Sequence, residues 1–209
     1  MADRTHGETP PRTDSEVRHE DWSGRDLSAQ TFERVAYVDV DLSESSSDGS
    51  AFTECLFTGC RFNASTFTRA AFVNCAFTKC SFWGSTFTGC KLVGSTFDRC
   101  SFGVFTADGG DWSFVGLPGA DLRKATLTSL RMREADLTGT RLREATIHDV
   151  DLSGAWLQSA DLSGADLRGS DLSSLDPRET VVTGASIDVA QAVAIAATLG
   201  LRVLADLRP

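Results

Sequence analysis

Large apolar residues recur in this chain at every fifth position, and that spacing constrains the fold more than any other feature. The series runs Trp22, Leu27, Phe32, Tyr37, Leu42 and Ser47, then places a Phe at every step from Phe52 to Phe87. Leu92, Phe97, Phe102, Ala107 and Trp112 follow, and a Leu-dominated run continues through Leu117, Leu122, Met132, Leu142, Ile147 and Leu162 to Leu172, Pro177, Val182 and Ile187. Only Ser47, Ala107 and Pro177 interrupt 34 consecutive positions, and none of them shifts the frame. Two residues before each member sits a small one, such as Cys55, Cys60, Ser65, Ala70, Ala120 or Ala160. Both positions must face inward. The other three are polar or flexible, as a solvated wall requires.

A period of five matches neither the 3.6 of a helix nor the 2 of a strand. A chain that turns a corner every five residues does keep such a series on one side. Four sides close a square coil of about 20 residues, and stacked coils bury a continuous core, as in other solenoids. The class is therefore an all-β solenoid, with core columns that include Phe52, Phe62, Phe72, Phe82, Leu122, Leu142 and Leu162. A strand spacing of about 4.8 Å over roughly 8.5 coils gives a rod about 40 Å long.

The units Ala120-Asp121-Leu122-Arg123-Lys124 and Ala160-Asp161-Leu162-Ser163-Gly164 resemble the signature of the pentapeptide repeat family. That resemblance implies a right-handed quadrilateral β-helix over residues 19–187. Within the family the chain looks like the MfpA and Qnr group of fluoroquinolone-resistance proteins, most like the MfpA branch. The similarity rests on Phe82-Trp83-Gly84-Ser85-Thr86-Phe87 and on the ending Ile187-Asp188-Val189-Ala190-Gln191-Ala192-Val193-Ala194-Ile195-Ala196-Ala197, with a longer N-terminal tail and a Leu204-to-Pro209 extension as departures. It implies a homodimer joined through the C-terminal region. It also implies a DNA-mimicking protein that binds DNA gyrase, inhibiting it or protecting it from quinolones.

Residues 1–18 carry no apolar pattern and are expected to be a disordered tail. Residues 188–209 read as a C-terminal helix and dimerisation segment. Asp188 and Gln191 form a capping box, an Ala-rich helix continues to Leu199, and Gly200 stops it. The bland reading of this helix is a lid on the last coil. The sharper one joins two copies through Val189, Ala192, Val193, Ala196, Leu199, Leu201 and Val203, because covering a coil end does not require a helix apolar on most of its circumference. At Ser47 and Ala107, which lie on one side three coils apart, the expectation is a local bulge or small loop. The alternative is a cavity, or a filling neighbour such as Phe105.

The six Cys are spaced 5, 15, 5, 10 and 10 apart, with no C-x-x-C pair, all at the small inward position. Side chains stacked in parallel aim their sulfurs the same way, so these read as buried structural thiols rather than disulfides or metal ligands. His6, His19 and His148 are isolated, and neither a nucleophile elbow nor a phosphate loop is present. The protein is expected not to be an enzyme and to need no cofactor.

A net charge of -9 argues against direct nucleic-acid binding, which needs cations to displace counterions. No signal peptide and no apolar run of membrane-spanning length is evident, and a cytoplasmic location is expected. Sorted by side, the outward charges are uneven. One side carries Asp26, Asp48, Asp108, Asp149, Asp166 and Asp188 against Arg69 and Arg168, and its carboxylates are the candidate gyrase-facing residues. Matching a duplex along the whole rod would take roughly 24 negative charges at one per about 1.7 Å.

Overall fold

A computed structural model describes residues 10–204. Most strands are three residues long and centre on one member of the five-residue series, as in Ala51–Thr53, Leu56–Thr58 and Thr66–Thr68. All pair in parallel with the strand 20 residues on, so Phe52 lies beside Phe72, Phe57 beside Phe77 and Leu127 beside Ile147. In the Leu-rich half the pairing narrows to single bridges, such as Asp121 to Arg141 and Arg141 to Asp161, without losing register. The molecule is a parallel β-solenoid with four walls, closed at its C-terminal end by one helix, Val189–Thr198.

Corners recur because the residue two after nearly every series member takes a left-handed backbone, whether it is Gly164 or a residue with a side chain such as Lys124 or Glu134. The N–H one residue further on folds back to the series carbonyl, as Ser65 N does to Phe62 O at 3.2 Å. The small inward residues satisfy these corner carbonyls from the next coil. Cys80 Sγ lies 3.4 Å from Phe57 O, Cys75 Sγ 3.3 Å from Phe52 O, and Ser85 Oγ donates to Phe62 O at 2.6 Å. Thiol and hydroxyl thus do the same work of pairing a buried carbonyl, which is why Cys and Ser alternate there. The six cysteines are free, and burial pushes the Cys90 thiol up to about 11. Cys100 departs from the expectation by being only half-buried.

In the interior, rings stack along each wall and meet edge-on around each corner. Phe52 and Phe72 stack at 4.8 Å, as do Phe62 and Phe82, while Phe57 meets Phe62 at 5.4 Å and 67°. Both geometries suit the aromatic quadrupole. Tyr37 stacks on Phe57 in the same way at 4.8 Å, fully buried, but its hydroxyl has no hydrogen-bond partner among the described residues. Burying an unpaired hydroxyl costs about 1–3 kcal/mol. Tyr37→Phe is therefore expected to raise stability by about 1 kcal/mol, read as a higher urea midpoint at unchanged slope; a lower midpoint would show that the hydroxyl is paired.

Three expectations are corrected. The tail does not extend to residue 18, because Ser15–Arg18 is a strand that sets Val17, in frame with the series, beside Tyr37. The rest of that expectation falls on residues 1–9, outside the described residues. Neither Ser47 nor Ala107 opens a loop. Ser46–Asp48 pairs in register with Thr66–Thr68, and buried Ser47 Oγ donates to Ser50 Oγ at 2.5 Å. Thr106–Asp111 pairs in register with Thr86–Lys91. The volume missing at Ala107 is supplied by Phe105, buried against Phe87, Phe102 and Trp112 at ring distances of 5.6, 5.3 and 6.1 Å. Large and small inward residues have simply exchanged places. Around Pro177 the wall does bulge: Glu179 and Thr180 both donate to Asp176 O at 3.0 Å, and Ser159 N reaches Glu179 O, one residue further than the regular spacing. The frame resumes with Leu162 N to Val181 O at 2.7 Å.

Candidate functional site

Because the register is fixed at 20 residues, Asp26, Asp48, Asp108, Asp149 and Asp166 all lie on the wall whose inner column is Leu27, Ser47, Phe67, Phe87, Ala107, Leu127, Ile147 and Leu167. Their surroundings differ. Asp26 accepts from Ser28 N at 2.9 Å and from the Ser28 hydroxyl, which together hold its carboxyl below the usual range. Asp108 accepts from Thr128 Oγ1 at 2.7 Å, and Asp149 sits at an exposed corner with φ of 55°. Among the described residues these three face no cation within ion-pair distance. Asp48, by contrast, is paired with Arg69. Asp166 is held by Arg168 at 2.6 Å with His148 Nε2 at 2.9 Å, and its carboxyl is pushed well below the usual range by Arg168 first. Asp188 is occupied in capping the helix and accepts from Gly169 N at 3.2 Å.

This wall also carries Arg25, exposed and lying over the Trp22 ring at 5.2 Å, at a position where the repeat pattern expects a small inward residue. Counting it, six carboxylates face three cations, and the excess over the other walls narrows. The stronger asymmetry runs along the axis. From Asp14 to Glu54, eleven carboxylates face only Arg18, Arg25 and Arg34, whereas from Cys55 to Phe105 a single carboxylate, Asp98, faces Arg61, Arg69, Lys79, Lys91 and Arg99. In the second half, ladders of opposite charge run up the walls. Asp111 pairs with Arg131 at 3.1 Å, and Asp121 with both Arg123 at 2.8 Å and Arg141 at 3.3 Å.

At the C-terminal end the capping box forms as the sequence implies, with Asp188 accepting from Gln191 N at 2.9 Å and Gln191 Oε1 accepting from Asp188 N at 2.8 Å. Gln191 has a second task that sequence reasoning missed. Its buried Nε2 donates to Leu167 O at 2.6 Å and Ser170 O at 2.7 Å, pinning the helix to the last complete coil. Only Ile195 of the helix's large apolar residues packs against the core. Val189 is 83% exposed, Val193, Leu199, Leu201 and Val203 are exposed as well, Ala192 is exposed and Ala196 half-buried. Among the described residues, no group of three His, Cys, Asp or Glu could hold a metal ion, and no helix is long and apolar enough to cross a membrane.

A profile of the pentapeptide repeat region matches residues 14–105, and one of pentapeptide repeats matches 117–144 and 145–176. The chain belongs to the pentapeptide repeat family. Among solved structures, this pentapeptide repeat protein is similar to trypsin-treated QnrB1, a plasmid-mediated fluoroquinolone resistance protein. The two share 21% identity over 91% of this chain and 100% of that one, with a TM-score of 0.53. It is also similar to HetL from a Nostoc cyanobacterium, a protein involved in heterocyst differentiation regulation, at 24% identity over 81% of each chain with a TM-score of 0.42. No curated protein matches the chain. At these identities the likeness is one of fold.

Proposed function

We propose that this pentapeptide repeat protein binds DNA gyrase in the cytoplasm as a partial mimic of duplex DNA, modulating or inhibiting the enzyme and protecting it from quinolone-type inhibitors. The observation that carries this reading is the row Asp26, Asp108 and Asp149, carboxylates without a cation at ion-pair distance on one wall of a stiff solenoid. The acid-rich first coils add to it. The protein acts by binding, without catalysis. Attraction of this kind concentrates a basic partner at the surface and weakens with salt. The exposed apolar residues Val189, Val193, Leu199 and Leu201 join two copies, doubling the reach of the rod.

A second reading, a scaffold for another protein partner, is favoured by the ion-pair ladders that neutralise much of the second half. Gyrase supercoiling with and without a quinolone separates the two. Inhibition, or restored supercoiling in the presence of drug, supports the first; unchanged activity in both arms leaves the scaffold reading. For the dimer, Val193→Arg is expected to halve the mass found by light scattering. An unchanged dimer would place the interface elsewhere.

A further inference from the structure

A break in the regularity of the walls at Gly103 has built a second surface, of different chemistry. Regular corners put the left-handed residue at the fifth place of the repeat, but here the positive φ of 54° falls on Gly103, one residue early. Phe105 turns inward and Val104 is thrown outward, 64% exposed. The same glycine seats Trp83 from the coil before: a Cβ on residue 103 would lie 2.1 Å from Trp83 Cδ1, so the indole rests against bare backbone. Trp83 is nevertheless 60% exposed. At the equivalent place in other coils of this wall stand Ser23, Ser43, Asn63 and Ser163, which makes an outward indole a departure rather than a habit of the repeat.

Trp83 and Val104 line one indentation together with Arg123, Arg141, Lys124 and Arg143, against Asp121 and Glu144. On a chain with net charge -9, this is a local inversion of sign. Each cation has a carboxylate in reach, Arg123 and Arg141 at Asp121, Lys124 at Glu144 at 3.5 Å and Arg143 at Asp161 at 3.8 Å. The four cations are all exposed, so solvent keeps each contact weak and lets them exchange partners at little cost, although Asp121 and Asp161 are themselves half-buried. A polyanion such as single-stranded nucleic acid would also meet the carboxylates of Asp121 and Asp161 on either side of Arg141.

We propose that this indentation docks a short segment of a protein partner carrying one bulky apolar anchor beside one or two carboxylates. The anchor packs on Trp83 and Val104, and the carboxylates draw Arg123 or Arg141 away from Asp121. An aromatic anchor with guanidinium groups around it is the composition that dominates peptide-binding energetics. The surface lies on a different wall from Asp26, Asp108 and Asp149, so the proposal stands apart from the gyrase reading.

The test uses fluorescence anisotropy of a labelled octapeptide with one Phe flanked by two Glu, and a matched peptide with Lys in place of Glu. The full-length protein should bind the first saturably and the second at least about tenfold more weakly. Trp83→Ser and, separately, Arg123→Glu should each weaken binding by about tenfold while circular dichroism stays unchanged. Absence of saturable binding up to about 1 mM, equal binding of both peptides, or unaltered binding by Trp83→Ser would overturn the proposal. Preferential binding of an oligonucleotide would overturn it in favour of base stacking.

Discussion

Phe72→Ala should cost about 3–5 kcal/mol of stability. Phe72 stacks on Phe52 at 4.8 Å with an interplanar angle of 1°, and meets Phe67 at 5.3 Å, Phe77 at 5.8 Å and Phe57 at 6.2 Å. Truncation removes the transfer energy of the ring. It also leaves a cavity that two stiff neighbouring coils cannot collapse to fill. In a solenoid each coil touches only its neighbours, so the damage should concentrate there. Hydrogen exchange is expected to accelerate first in Ala51–Thr53, Ala71–Val73 and Thr86–Lys91. Phe72→Leu, which keeps most of the volume, should cost less than about 1.5 kcal/mol. A loss from Phe72→Ala no larger than that would mean the column tolerates vacancies.

Gly110→Ala should cost about 3 kcal/mol or more, although it adds only one methyl group. Gly110 holds φ of 105°, and its Cβ would fall 2.0 Å from the carbonyl oxygen and 2.8 Å from the amide nitrogen of Cys90, the residue it pairs with in the preceding coil. Those are backbone atoms, so no rotamer relieves the clash. The pairing of Thr106–Asp111 with Thr86–Lys91 must open instead. Gly119→Ala is the control. It has φ of 67° with nothing within 4 Å, and should cost only about 1 kcal/mol, the strain of a left-handed alanine. Equal urea midpoints for the two variants would contradict this view of the strand pair.

The columns and corners were legible because a five-residue period leaves one way to keep Phe52, Phe62 and Phe72 inside, and the structure buries each of them within 1% exposure. The frame survives at Ala107 for a reason a column alone hides. What the interior needs is summed volume across both inward positions, so Phe105 can replace what Ala107 lacks. Val17 was not legible since one apolar residue among charges gives no period, yet it pairs with Tyr37. That the carboxylates share one wall was legible from the 20-residue count, but their ionic partners were not. Arg69 reaches Asp48 from the next coil and His148 approaches Asp166, contacts 21 and 18 residues apart that depend on side-chain reach rather than spacing. The exposed Arg25 and the seating of Trp83 on Gly103 likewise follow from local departures, which a repeat pattern averages away.

Competition for gyrase between this protein and a linear DNA duplex tests the central claim most directly. The protein is titrated into a gyrase–duplex complex at low and at moderate salt. Displacement of the duplex is expected, weakening as salt rises, with the joint variant Asp26→Asn, Asp108→Asn and Asp149→Asn displacing at least about tenfold less while keeping its circular dichroism. Binding of protein and duplex together, or displacement indifferent to those three carboxylates, would contradict the claim that the rod stands in for DNA.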